Sequence, residues 1–181
     1  MSKLTIAFAA LMAASPAVAQ EARHSASYGP VFAEYGWVAD VEADFALPAD
    51  AHFRHSFDVA ERTEDGRNRG IESAARFINM HARAGVPADR IEVAIVIHGQ
   101  AVNDVLGAEA YTARHDGAEN PSAGLVRALL DQGVRIVVCG QSVAGLGVDE
   151  TADLIPGVQT ALSAMTAHAL LQQQGYTVNP F

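Results

Sequence analysis

Cysteine and lysine are almost absent from this chain of 181 residues: Cys139 is the single cysteine and Lys3 the single lysine. One cysteine excludes an intramolecular disulfide, so the thiol is buried, paired with another chain, or kept for chemistry. Cations are scarce as well, with eleven arginines against 21 acidic residues and a formal net charge of −9. That field repels nucleic acid and anionic lipid, so neither nucleic acid nor membrane is expected as a partner. No apolar run reaches the length needed to cross a bilayer. The seven histidines are scattered and the thiol has no partner at metal-ligand spacing, so spacing gives no metal site. Dinucleotide and P-loop glycine patterns are missing, as is the Gly-x-Ser-x-Gly elbow; Gly145 and Gly147 are only a weak phosphate signal, and no cofactor is expected.

What is present begins with a leader. Lys3 precedes a short apolar run from Leu4 to Ala14, and Ala17-Val18-Ala19 is a small-x-small cleavage pattern. Residues 1–19 therefore read as a cleaved signal peptide, which places the mature protein in the periplasm. Residues 20–50 carry no sustained period but hold Tyr28, Phe32, Tyr35 and Trp37, and read as an extended arm packing on its own core or on another subunit. Residues 51–181 are enough for one α/β domain.

Within that domain, buried strands alternate with helical patterns. His52 to Ala60 alternates, with Phe53, His55, Phe57 and Val59 on one side and Arg54, Ser56 and Asp58 on the other. Gly70 to Ala84 places Ile71, Ala74, Ala75, Ile78 and Ala82 at helical spacing, and its opposite face with Glu72, Arg76, Asn79 and Arg83 reads as solvated. Ile91 to Ile97 and Val134 to Val138 are continuous β-branched runs, as strands buried on both faces require. Shorter elements are a helix near Asp104 to Tyr111, a helix over Ser122 to Gln132 and a turn of helix at Ser142 to Leu146. A strand near Val158 to Leu162, a helix over Ser163 to Gln174 with Met165, Ala169 and Leu170 inward, and an edge strand from Tyr176 complete the chain.

The two buried runs end alike, in His98-Gly99-Gln100-Ala101-Val102 and in Cys139-Gly140-Gln141-Ser142-Val143. In an open parallel sheet, ligands and reacting groups collect at such strand exits. If the two strands are neighbours, the backbones at His98 and Cys139 lie about 5 Å apart; with one strand between them, about 10 Å. The first arrangement permits a His–Cys pair, and the second needs a substrate or water between them. Cys139 reads equally as a reactive thiol and as a small apolar filler, and His98 equally as a functional and a structural histidine.

The order of these motifs, together with Asn120-Pro121, Leu154-Ile155-Pro156-Gly157-Val158 and Leu171-Gln172-Gln173-Gln174-Gly175-Tyr176, resembles the exported branch of the DsrE/DsrF-like family from about Gly29 to the end. The resemblance implies a flavodoxin-like domain, a mostly parallel sheet with helices on both faces, assembled as a trimer or hexamer. It also implies a sulfur-relay role in which Cys139 carries sulfane sulfur as a persulfide and exchanges it with a donor or acceptor protein. The Gly140, Gln141 and Ser142 N–H groups would then steady the anion, with His98 as proton carrier. Relay proteins of the family often place an arginine before the glycine that follows the cysteine helix, where this chain has Leu146-Gly147. Two other readings compete: an oligomeric binding or scaffold module with a buried, inert Cys139, and a copper(I) site using Cys139 with His98.

Overall fold

The computed structural model describes residues 26–63 and 65–179, so the leader at 1–19 and the start of the arm lie outside the described residues. Five parallel strands form the central sheet: β3 (Phe53–Val59), β4 (Ile91–Ile97), β5 (Arg135–Cys139), β6 (Gln159–Ala161) and β7 (Thr177–Asn179). Two short strands in the arm, β1 (Ala26–Ser27) and β2 (Val38–Ala39), pair antiparallel apart from it. The sheet order is β6-β5-β4-β3-β7. The chain steps from β3 through β6 in one direction and then crosses back to set β7 beside β3, whereas flavodoxin's own strand order is 2-1-3-4-5. Layering and parallel pairing are as the sequence implies, since each β-branched run needs cover on both faces.

The two faces are covered unequally. On one side lie α1 (Arg69–Arg83), a 3-10 turn (Gly99–Val105), α2 (Ala108–Arg114) and α3 (Ala123–Asp131). Ile71, Ile95, Ile97, Leu125, Leu129 and Ile136 are fully buried there, and each such side chain contributes about 2 kcal/mol. Val143 of the short helix α4 (Gly140–Gly145) joins this core. On the other side a small cluster of Ala94, Val96 and Val137 is covered by Ala167 and Leu171 of α5 (Ala164–Gln173).

Helix α5 is rotated from the expected orientation. Its inward stripe is Ala164, Ala167 and Leu171, while Met165, Ala169 and Leu170 face outward. Alanines let the helix backbone approach the sheet, which the larger side chains would prevent. The helix expected near Asp104 to Tyr111 is divided between the 3-10 turn and α2.

The outer face of α1 is a docking surface for the arm rather than a solvated one. Buried Asn79 accepts from the Val31 and Phe32 N–H groups and donates to the carbonyls of Phe32, Tyr35 and Gly36. Arg83 donates to the Ser27, Tyr28, Gly29 and Val38 carbonyls, and Arg76 lies over the Trp37 ring at 4.1 Å. An irregular segment pairs few of its own backbone groups, so polar helix side chains satisfy them.

Candidate functional site

Strands β4 and β5 are neighbours, paired from Ala94 with Arg135 to Ile97 with Val138. One step beyond the last pair stand His98 and Cys139, on the sheet face that α5 covers. Their backbones are therefore about 5 Å apart, the closer of the two arrangements.

Cys139 is 6% exposed and forms no disulfide. Burial pulls its thiol pKa up, but hydrogen bonds from the Ser142 hydroxyl and from the Ser142, Ala164 and Gln141 N–H groups outweigh this, and the net shift is downward. The donors come from two helices. Gln141 and Ser142 belong to the first turn of α4, and Ala164 is the first residue of α5. Peptide N–H groups at a helix start have no carbonyl partner within the helix and are free to meet an anion.

Gly140 permits close approach: a Cβ there would lie 2.8 Å from the Ala161 carbonyl oxygen of β6. The Gln141 side chain donates to the Leu162 carbonyl at 3.2 Å and ties α4 to the loop that leads into α5. Ser142 has a second partner, because its Oγ accepts the Gly99 N–H at 3.1 Å. Its hydroxyl thus bridges the β4 exit and the sulfur, and accepting one bond strengthens the other it donates.

His98 does not turn its Nε2 toward the thiol. That nitrogen lies 3.1 and 3.2 Å from the two Asp58 carboxylate oxygens, and His168 Nε2 of α5 lies 2.7 Å from the same Asp58 Oδ1. Burial raises the Asp58 pKa, but the bonds from His168 and His98 outweigh it and hold the carboxyl below its usual value. The sequence reading placed Asp58 on the polar side of β3 without assigning it a role, and it missed His168 and Ala164. A carboxylate next to the last residue of a parallel strand was the available signal for Asp58. Nothing local marks the other two, since their roles depend on how α5 is rotated.

Leu146 closes the end of α4 away from Cys139, and a basic side chain from α2 meets that end. Arg114 of α2 donates to the Leu146 and Gly147 carbonyls and sits 3.7 Å from Asp153. A cation at a helix C-terminus stabilises that helix. His115 packs tilted against Tyr111, with ring centres 4.1 Å apart, and bonds Arg62 and Asn103, well integrated for a loop residue. Among the described residues no group of three or more His, Cys, Asp or Glu side chains is arranged to hold a metal ion, and no helix is long and apolar enough to cross a membrane.

A family model described as DsrE/DsrF-like matches residues 57–180, a span that includes Asp58, His98, Cys139 and His168. The chain belongs to the DsrE/DsrF-like family. Membership suggests a role related to sulfur relay. No curated protein matches the chain significantly. Among solved structures, the ychN protein of E. coli is 18% identical, with 71% of this chain and 100% of that chain covered at a TM-score of 0.50. MTH1491 from Methanobacterium thermoautotrophicum, a protein of unknown function, is 22% identical, with 71% and 99% covered at a TM-score of 0.48. At such identities the ychN likeness speaks for the fold alone.

Proposed function

We propose that the mature protein is a periplasmic sulfur carrier that holds sulfane sulfur on Cys139 as a persulfide. The observation that carries this reading is the set of four donors converging on one buried sulfur, which lowers its pKa despite burial. A thiolate is the attacking form of cysteine, and a persulfide places the same negative charge one bond further out. In loading, the Cys139 thiolate attacks the outer sulfur of a donor persulfide. A new S–S bond forms, the donor's S–S bond breaks, and the electron pair leaves with the donor thiolate. No net oxidation occurs, and a single cysteine without a resolving partner holds the product stably.

The partners are a sulfur donor and a sulfur acceptor protein, and the protein itself assembles as a homo-oligomer, a trimer or hexamer. Support for a protein-facing surface comes from Leu162 and Met165, 73% and 80% exposed beside the Ala164 N–H that reaches the sulfur. Export rests on the leader pattern of residues 1–19.

Intact-mass spectrometry after incubation with polysulfide tests the reading. A reducible gain of one or more sulfur atoms is expected in the wild type and absent in Cys139→Ser. The 6% exposure of Cys139 favours a second reading, a scaffold or binding module with an inert thiol. No adduct, with alkylation only after unfolding, selects that second reading. Cell fractionation and light scattering check compartment and assembly.

A further inference from the structure

Helix α1 carries Arg69, Arg76 and Arg83, which seven-residue spacing sets on one face, about 10 Å from one to the next along the axis. They are employed differently. Arg83 is occupied by the arm: it donates to the carbonyls of Ser27, Tyr28, Gly29 and Val38 and pairs with Asp40 at 3.3 Å. Arg76 is only partly occupied. Its Nε donates to the Trp37 carbonyl at 3.1 Å and its guanidinium lies over the Trp37 ring, while its two terminal nitrogens have no partner among the described residues. The Arg69 side chain bonds nothing among the described residues. In a chain with 21 acidic residues against 12 basic ones, such cations stand out. Arg54, Arg67, Arg83 and Arg114 each meet a carboxylate, and Arg69 and Arg76 form no ion pair among the described residues.

The two unpaired arginines line one cleft of about 410 Å³, together with Trp37, Glu72 and Ser73. That volume suits a small ligand. Glu72 is already answered within the wall, since its Oε1 accepts the Gly36 N–H and pairs with Arg67, both at 3.2 Å. Trp37 is 45% exposed and offers a flat apolar surface. Arg76 is held against that surface, so its planar fork is ordered before a ligand arrives, and free guanidinium N–H pairs match a carboxylate. The protein's own negative charge, with Glu72 in the wall, opposes a dianion more than a monoanion.

We infer that this cleft binds an apolar monocarboxylate, with the carboxylate on Arg76, Arg69 as the second cation and the apolar body against the Trp37 ring. Free aromatic acids and the C-terminal residue of a peptide present the same chemistry. The site is separate from the thiol, because α1 packs on one face of the sheet and α5, which reaches Cys139, on the other. Ligand binding here is therefore a second property of the fold and does not rest on sulfur transfer.

Trp37 is the only tryptophan, so tryptophan fluorescence reports from the cleft alone. The test is its titration with phenylpropanoate and with the uncharged phenylpropanamide. A saturable change is expected with the acid, at a dissociation constant on the order of a few millimolar for so small a ligand, and none with the amide over the same range. Arg76→Gln is expected to weaken binding about tenfold and Arg69→Gln about threefold. An equal response to acid and amide overturns the inference, as does a response that does not saturate, one that sodium chloride reproduces, or one that neither substitution weakens. Should Arg76→Gln release the arm, Arg69→Gln decides alone, because that side chain holds nothing else in place. A dipeptide ending in phenylalanine, with a free C-terminal carboxylate or as its amide, names the source. Binding of the peptide acid at least about tenfold tighter than phenylpropanoate assigns the cleft to protein C-termini, and equal or weaker binding assigns it to free acids.

Discussion

The exits of β4 and β5 begin with nearly the same residues and do different things. In each, a glycine follows the last residue of the exit, yet each glycine is required for its own reason. Gly99 lies in the left-handed region at φ +54, and a Cβ there would sit 2.9 Å from the Ala60 carbonyl oxygen. Gly140 enters α4 directly, and its missing Cβ makes room for the Ala161 carbonyl. The next difference is one oxygen atom. Ala101 is fully buried with nothing polar to offer, while Ser142 bridges the Gly99 N–H and the sulfur. Position in the sheet explains the rest. Strand β4 is central, between β3 and β5, and its exit residue His98 meets a carboxylate from β3. Strand β5 lies beside β6, and the helix after β6 begins against Cys139. Similar turns acquire different partners, one a carboxylate and the other hydroxyl and backbone N–H donors, because different strands stand next to them.

The comparison breaks first at the glycines. Gly99→Ala combines left-handed strain with a backbone clash and is expected to destabilise by about 3 kcal/mol, and Gly140→Ala, which meets only the clash, by about 2 kcal/mol. Urea unfolding midpoints check both, and an equal, negligible loss would show that the two backbones relax freely. Next is Ser142→Ala, which leaves the Gly99 N–H without its partner and removes a donor from the sulfur. Stability is expected to fall by about 1 kcal/mol and the alkylation midpoint of Cys139 to rise by about one unit.

A smaller effect is expected on the pH dependence of stability. The Cys139 pKa is lowered on folding, so the folded state binds fewer protons than the unfolded one as pH rises toward the free-thiol value of about 8.5. This contribution is complete above the unfolded value and is lost as pH falls through the folded one. Thermal unfolding of the wild type is expected to improve relative to Cys139→Ala as pH rises through that window, and a constant gap would show that the thiol is not stabilised as an anion. The smallest pair is Gln141→Ala against Gln100→Ala. The first loses an exposed bond to the Leu162 carbonyl, worth about 0.5 kcal/mol, and the second is expected to be silent.

Much of the frame was legible in advance. Continuous β-branched runs at Ile91 to Ile97 and Val134 to Val138 demand burial on both faces, and only a sandwiched parallel sheet provides it. The paired exit motifs pointed to Cys139 and His98, and the structure places these on adjacent strands. Misread residues were those whose neighbours come from afar. Asn79 sits on the polar side of α1 by periodicity, but arm carbonyls and N–H groups some 45 positions away bury it. Met165 and Leu170 looked inward by hydrophobicity, yet alanines fill that face because α5 must lie close to the sheet.

Local chemistry by itself determined the strands, the helix stops, the placing of a lone thiol at a strand exit and the acidic surface, since each follows from a few consecutive side chains or from composition. Only the tertiary structure decided which donors reach the sulfur and which carboxylate holds His98. Those contacts join Asp58 to His168 and Cys139 to Ala164, pairs far apart in the chain, and their existence depends on strand order and on the rotation of one helix. A local pattern carries no information about either, because both are set by which packed arrangement buries the most apolar surface while leaving every polar group a partner.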